Sequence, residues 1–444
     1  MLLNTVWVFA EPRVYIDNGK TYVLDENDTL WEAGGEYEHK NADYVLVEND
    51  VKSFSPTLFF DYEHYILKND GTFYIDNDKG EKIIIDNNVK KCFYTYYEAW
   101  YIKDDNSLWL HTGHKEEGKK QVLEDASELL DMEYRKGFFY KITENNELYI
   151  CGRMWNEYGY ADDMTYTPQK LLDDVKDLYI CYGNTYQPYM VYLNTKNELY
   201  EIGEYRSLEN SDPYEVPKPF ESGKKLIADN VTDFYCGYSY LFFTKTDGTL
   251  WHRGRNYLNL RQKGDTYIYF DETAVIEDDV KQFHYGYDSL DIIKNNGDLV
   301  RYYADYKFTE SPDLNESNAM MCMCYGQYGK TTAAQNAVRF IENAAPFASV
   351  AYFLDKDNTV WGIGINRYGE LGLGEDAPES VIVDTPVECR FLTKFYKTQE
   401  EKTDAPEAVK SADNAPPKEL YIYLGAVLAY FALLYAGILF RKDH

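Results

Sequence analysis

Four stretches of this 444-residue chain carry residues whose types and spacing could do chemistry. The first is VWGIGINRYGELGLGE (360–375), with Gly362, Gly364, Gly369, Gly372 and Gly374 in sixteen residues. A dinucleotide fingerprint requires a third glycine three positions after Gly364 and then a helix whose N-terminus faces the pyrophosphate. Gly369 comes too late, and more glycine, an acidic run and Pro378 follow where the helix should be. The second, Gly329-Lys330-Thr331-Thr332, has the end of a phosphate-binding loop, but Cys324 stands where that loop needs its first glycine. The third, His111-x-x-His114, has no acidic or cysteine partner at ligand spacing. The fourth, DNDKGE (76–81), resembles a calcium loop but lacks the glycine at its sixth position and the distal glutamate. The seven cysteines contain no Cys-x-x-Cys, Cys322-x-Cys324 matches no common zinc spacing, and no disulfide framework is indicated. No catalytic residue, metal site or cofactor is assigned on these grounds.

The glycines need another explanation, and the elements around them supply it. YFLDKDNTVW (352–361) has seven relatives: YVLDENDTLW (22–31), YILKNDGTFY (65–74), YIKDDNSLWL (101–110), YKITENNELY (140–149), VYLNTKNELY (191–200), LFFTKTDGTLW (241–251) and DIIKNNGDLV (291–300). Each pairs alternating apolar residues with a polar step such as Asp-Gly or Asn-Asn, which tolerates the positive φ of a tight hairpin. Most are preceded by a further strand signal: VKSF (51–54), VKKCF (89–93), VKDL (175–178), VTDF (231–234), VKQF (280–283) and AVRF (337–340). The eight hairpins recur every 35 to 61 residues, with about four short strands per unit, which predicts the blades of a β-propeller. Forty-five tyrosines and an aromatic content of 17% suit an all-β fold, and a minority of the tyrosines are expected to form a binding surface.

The stretch Trp361-Gly-Ile-Gly-Ile-Asn-Arg-Tyr-Gly-Glu-Leu-Gly-Leu-Gly374, followed by Thr385-Pro386-Val387, resembles the repeat of the regulator of chromosome condensation family. CGYSYLFF (236–243) is similar to that family's Cys-Gly-x-x-His-Thr strand, with Tyr240 where His is expected. The resemblance implies that Gly362, Gly364, Gly369, Gly372 and Gly374 form a structural glycine turn, and that residues 1–395 form one propeller of degenerate repeats. Seven blades are usual in the family, whereas the hairpins count eight, so the expectation is seven or eight with eight favoured. The strand near Thr385–Cys389 is expected to complete a blade with N-terminal strands, because an open seam would leave sheet edges exposed. No residues match the family's nucleotide-exchange surface.

A net charge of −30, from 75 acidic against 45 basic residues, argues against nucleic-acid binding, which needs a basic face. Residues 396–419, rich in Ala, Pro and charge, read as a flexible stalk. Residues 420–440 hold no charge and would span about 31 Å as a helix, which predicts one transmembrane segment. Arg441 and Lys442 flank it in a short tail, 441–444, and favour the cytoplasmic side, placing the propeller outside. The N-terminus could then be the end of a signal peptide; the alternative is a tail-anchored protein facing the cytoplasm. Two function classes remain. One is a membrane-anchored recognition propeller for a protein, peptide or glycan, and the other a lyase or hydrolase with its site in the central channel. The discriminating observation is whether the channel mouth gathers several ionisable groups from different blades or mostly tyrosine, asparagine and glycine.

Overall fold

In a computed structural model, the described residues are 11–17, 19–35, 42–56, 64–76, 81–94, 98–112, 118–135, 138–153, 164–182, 188–202, 224–237, 240–255, 260, 269–286, 289–305, 327–344, 350–380 and 382–404. They form eight antiparallel sheets of four strands each, one of them extended by a fifth strand, arranged as an eight-bladed propeller. Blade 1 is Arg13–Asp17, Lys20–Leu24, Leu30–Gly34 and Val45–Glu48; blade 2 is Val51–Pro56, His64–Lys68, Phe73–Asp76 and Lys82–Asp86. Blade 3 is Val89–Tyr94, Glu98–Lys103, Leu108–Thr112 and Lys119–Leu123; blade 4 is Glu133–Arg135, Phe138–Ile142, Leu148–Arg153 and Met164–Leu172. Blade 5 is Val175–Tyr182, Pro188–Asn194, Leu199–Ile202 and Lys225–Ala228; blade 6 is Val231–Cys236, Tyr240–Lys245, Leu250–Arg255 and Tyr269–Glu277. Blade 7 is Val280–Tyr285, Ser289–Lys294, Leu299–Asp305 and Gln327–Ala334; blade 8 is Ala337–Phe340, Val350–Asp355, Val360–Ile365 and Ile382–Glu388.

The predicted hairpins are the second and third strands of every blade. Their turns hold Asp28, Gly71, Asn106, Asn146, Asn197, Gly248, Gly297 and Asn358 at φ between 53° and 88°, a region that Gly, Asn and Asp enter at low cost. The aromatic that opens the third strand also serves the turn. Trp31 and Trp361 donate their indole N–H to Asp25 and Asp355 at 3.1 and 2.8 Å, and Trp109 and Trp251 donate to Ser107 and Thr249. The same turns stitch the blades together. The carbonyls of Asp28, Gly71, Asn106, Asn146, Asn197, Gly248 and Gly297 accept the N–H of Val51, Val89, Ala126, Val175, Val231, Val280 and Ala337 at 2.8 to 3.0 Å.

A four-stranded sheet cannot bury both of its faces alone, and here each interface between neighbours has its own apolar core. Leu67, Phe73, Val89 and Tyr101 join blades 2 and 3; Phe242, Leu250, Ile292 and Val300 join blades 6 and 7. The ring closes in the same way, with Val14, Ile16, Val23 and Tyr44 of blade 1 packed against Val350, Tyr352 and Leu354 of blade 8. Closure differs from the sequence expectation. Strand Ile382–Glu388 pairs only with Val360–Ile365 inside blade 8. The N-terminal strand Arg13–Asp17 instead pairs in parallel with Glu342–Ala344, a short strand between the first and second strands of blade 8. That segment covers the inner edge of blade 1 and removes the exposed edge by another route.

An α-helix, Arg390–Asp404, follows the last strand and begins within the propeller unit, which ends at Lys397. Leu392 and Tyr396 are buried in the closing core, and Thr393 Oγ1 accepts the N–H of Val360 at 3.0 Å. No sequence signal singled out this helix, which runs through the first residues of the segment read as a stalk. Residues 1–10 and 405–444, including the 420–440 segment with Arg441 and Lys442, lie outside the described residues. Among the described residues no helix is long and apolar enough to cross a membrane.

Candidate functional site: the axial tyrosines

Except in blade 1, whose first strand also pairs with Glu342–Ala344, the first strand of each blade pairs on one side only, and first strands of neighbouring blades approach one another, so these strands surround the axis. Each enters with a β-bulge at its second residue in six blades, leaving Lys52, Lys90, Lys176, Thr232, Lys281 and Val338 unmatched in the register. Three of these lysines are absorbed by the frame. Lys52 Nζ donates to the carbonyl of Lys90 at 2.8 Å, while Lys90 and Lys176 reach the turn residues Asn106 and Asn197 of their own blades.

Past the bulge the strands turn aromatic. Tyr15 meets Phe54 edge-on at 5.2 Å, Phe93 meets Tyr134 at 6.0 Å, and Tyr179, Tyr235 and Tyr285 follow one another at 5.9 and 6.3 Å across blades 5, 6 and 7. His284 and Phe340 continue the contact into blade 8 at 5.6 Å. Tyr15, Phe54, Tyr134, Tyr179 and Tyr235 are half-buried: each ring is held by its neighbours and keeps part of its surface open. Tyr240 backs the series, 4.3 Å from Tyr285 and 6.2 Å from Tyr235. A side chain at Gly237 would collide with the Tyr240 ring, with atoms at 2.1 to 2.4 Å from its Cβ, so the glycine is what lets this ring lie flat. Burial, with Tyr235 and Tyr285 alongside, pushes the Tyr240 phenol well above its ordinary range. It is a neutral contact surface, not an acid or base at physiological pH.

Ionisable groups are also buried, but in separate interfaces. Arg253 pairs with Glu201 at 2.7 Å between blades 5 and 6, and Ser289 donates to Asp291 at 2.8 Å in blade 7, with Arg301 Nε 3.6 Å from the same carboxylate. Arg301 and the hydrogen bonds hold Asp291 below the usual carboxylate range despite complete burial, whose own effect is the largest and is opposite. His111, the described member of the histidine pair, is fully buried with Nδ1 3.3 Å from the Tyr65 hydroxyl. His114 lies outside the described residues.

The glycine-rich stretch folds away from the axis, onto blade 1. Gly364, Gly369, Gly372 and Gly374 have φ of 131°, 81°, 57° and 56°. A Cβ on Gly372 would stand 2.2 Å from the ring of Tyr44, and Gly374 donates its N–H to Ala42 at 3.1 Å. Gly362 is not at positive φ; it lies in strand Val360–Ile365 beside the register shift that separates it from Gly364, and the space above it is taken by the side chains of Leu371 and Cys389. Gly329–Thr332 is part of the outer strand of blade 7 rather than a loop before a helix. Lys330 there binds Glu277 at 2.6 Å. Cys92, Cys151, Cys236 and Cys389 are free thiols, and all but Cys92 are buried.

The tyrosine series was not singled out in the sequence, although its signal is visible there. VKDLY and VTDFY carry Tyr179 and Tyr235 three residues after the bulge, whereas VKQFHY has His284 there and Tyr285 one residue later.

No family model matches the chain, and no curated protein matches it. Among solved structures, Prp20p of Saccharomyces cerevisiae, described with its binding to Gsp1p and histones, aligns at 13% identity over 68% of this chain and 76% of that one, with a TM-score of 0.42. Human WBSCR16 aligns at 12% identity over 86% and 81%, with a TM-score of 0.35. The computationally designed Ika8 protein aligns at 10% identity over 79% and 95%, with a TM-score of 0.36. Likeness this distant carries no functional argument, and the blade count rests on the strands of this chain.

Proposed function

We propose that the protein is a recognition propeller that binds a protein or peptide partner at the axial end of its first strands, through Tyr179, Tyr235 and their neighbours. One observation carries the reading: the half-buried Tyr179 and Tyr235 of blades 5 and 6 stand 5.9 Å apart, backed by the buried Tyr285 of blade 7, and form a rigid aromatic surface. Rigid amphipathic rings lose little entropy on binding and are enriched at the energetic centres of interfaces. For the channel-enzyme alternative these strands offer His284, whose Nδ1 lies 3.9 Å from the Asp291 carboxylate in blade 7, whereas the Arg253–Glu201 pair sits in another blade interface. A glycan could stack on the same rings, so it is an outcome that the test must separate.

The chain is proposed as a degenerate member of the chromosome-condensation-regulator repeats, anchored by residues 420–440, with a stalk before them and the propeller outside the cytoplasm. The charge-free segment and Arg441-Lys442 support this. Binding by the full-length protein is measured against a captured partner protein and a glycan panel. Loss of partner binding in Tyr179→Ala and Tyr235→Ala supports the site, and glycan-only binding reassigns the ligand. Added protease on intact cells should digest the propeller and spare the 441–444 tail; the reverse pattern would overturn the orientation.

A further inference from the structure

At the interface of blades 1 and 2, away from the axial tyrosines, Glu32, His64 and Asp76 are electrostatic neighbours. Glu32 belongs to the third strand of blade 1, while His64 opens the second strand of blade 2 and Asp76 closes its third. His64 and Asp76 are directly opposite one another in the strand register. Glu32 Oε2 lies 3.4 Å from His64 Nε2 and 3.2 Å from the ammonium of Lys20. Burial works against the Glu32 carboxylate, but His64 and Lys20 outweigh it and keep the group ionised, with its pKa below the ordinary value.

The geometry fixes the imidazole. With Glu32 taking the Nε2 proton, Nδ1 carries the lone pair. His64 is only 6% exposed, and its Nδ1 is buried without a partner. The Oδ1 of Asp76, on the paired strand, is likewise buried without a partner. Acceptors left unpartnered in a protein interior, here on residues opposite one another in the register, cost free energy unless a donor or an electron-pair acceptor meets them. A shared proton or a bridging water can serve both, and so can a divalent metal ion; what favours the ion is Glu32, since a carboxylate on the far nitrogen of the histidine is the arrangement that orients and strengthens a metal-bound imidazole.

We propose that His64 Nδ1 and Asp76 Oδ1 bind a divalent transition-metal ion, with Glu32 as the positioning residue behind the imidazole. Among the described residues no three His, Cys, Asp or Glu side chains form a ready-made cage. The protein therefore supplies two donors and water completes the shell, which makes the site exchangeable rather than permanent. Imidazole with carboxylate selects Zn²⁺, Co²⁺ or Mn²⁺ over Ca²⁺. Because Glu32 belongs to blade 1 and both donors to blade 2, the ion would tighten that joint.

The test uses untagged full-length protein, stripped with EDTA and titrated with Co²⁺ alone and then with Zn²⁺ as competitor. The expected result is one saturable site without a thiolate charge-transfer band, lost in His64→Asn and Asp76→Asn. Glu32→Gln should weaken it about tenfold, the lower end of second-shell effects, and His111→Asn should leave it unchanged. Melting in EDTA confirms that the variants are folded. X-ray absorption of the Co²⁺-loaded wild type needs no variant and should show one imidazole ligand. Non-saturable binding, a thiolate band, no imidazole ligand, or titrations unchanged in both His64→Asn and Asp76→Asn would each overturn the proposal.

Discussion

Replacing Tyr352 by Phe should weaken the closure of the ring more than its single missing oxygen suggests. Tyr352 is fully buried in blade 8, and its hydroxyl donates to the carbonyl of Glu370 at 2.6 Å. The same oxygen is 3.1 Å from Thr21 Oγ1 and 3.3 Å from the Tyr44 hydroxyl, both on the blade 1 side. The substitution keeps the ring and its packing but strands up to three buried polar groups. At about 1–3 kcal/mol for each group left unsatisfied, and with some relaxation of the Thr21 and Tyr44 rotors, the loss should be about 2–4 kcal/mol. Urea unfolding followed by tryptophan fluorescence measures it as a lower midpoint with an unchanged slope. Tyr200→Phe is the control, because its hydroxyl donates to a solvent-accessible Glu198 at 3.0 Å; that change should cost less than about 0.5 kcal/mol. Equal effects of the two substitutions would refute the reasoning, since they would mean that the 8–1 seam carries no buried network.

Other expectations follow from the same interfaces. Gly372→Ala should unfold or strongly destabilise the protein, because it combines a φ of 57° with a Cβ 2.2 Å from the Tyr44 ring. Gly374→Ala, at a similar φ but with its nearest atom at 3.4 Å, should cost only the conformational strain of about 1 kcal/mol in a thermal melt. Burial acts first on Glu48 and Glu277 and would raise them, but Lys82, Tyr74 and Lys68 around Glu48, and Lys294, Lys330 and Tyr302 around Glu277, lower both to about 2. Depressed carboxylates stabilise the fold above their unfolded pKa and lose that contribution as pH falls from about 4.5 toward 2. Acid unfolding should therefore start at higher stability in wild type than in Glu48→Gln and converge with it near pH 2. Glu370 has the opposite sign: burial raises it to about 8 against weaker support from the backbone N–H groups of Glu370 and Tyr368 and from Arg367. Its contribution is present below about 4.5 and is lost as pH rises through 8, so Glu370→Gln should melt above wild type at pH 9 and match it at pH 5.

Much of this architecture is readable in the chain because the turns are. Asp28, Gly71, Asn106 and their five counterparts are residues that tolerate left-handed backbone, and they mark every blade without any tertiary information. Their number also separates eight blades from seven. Ring closure was not legible. Glu342–Ala344 is too short and too polar to read as a strand, and it pairs in parallel with a segment more than 300 residues away. Helix Arg390–Asp404 hides for a related reason: its first turns bury Leu392 and Tyr396, while the charge-rich sequence that follows matches a linker. The glycine turn gave Gly364, Gly369, Gly372 and Gly374 their left-handed backbone, but Gly362 depends on Leu371 and Cys389 folding back over it, which spacing alone does not reveal. The candidate site was half legible. Individual tyrosines were visible in the first-strand motifs, whereas their contact across blades is a property of the closed ring.

The central claim is that the axial tyrosines recognise a partner, and the most direct measurement is the affinity of a captured partner for wild type and three variants of the full-length protein. Tyr179→Ala and Tyr235→Ala, with melting temperatures confirming the fold, should each weaken binding by about tenfold or more, as expected for central aromatic contacts worth 1–2 kcal/mol or above. Tyr200→Ala, with its hydroxyl bonded to Glu198 beside the blade 5 hairpin turn, should leave it unchanged. Partner binding that survives both axial substitutions and is lost in Tyr200→Ala would contradict the account.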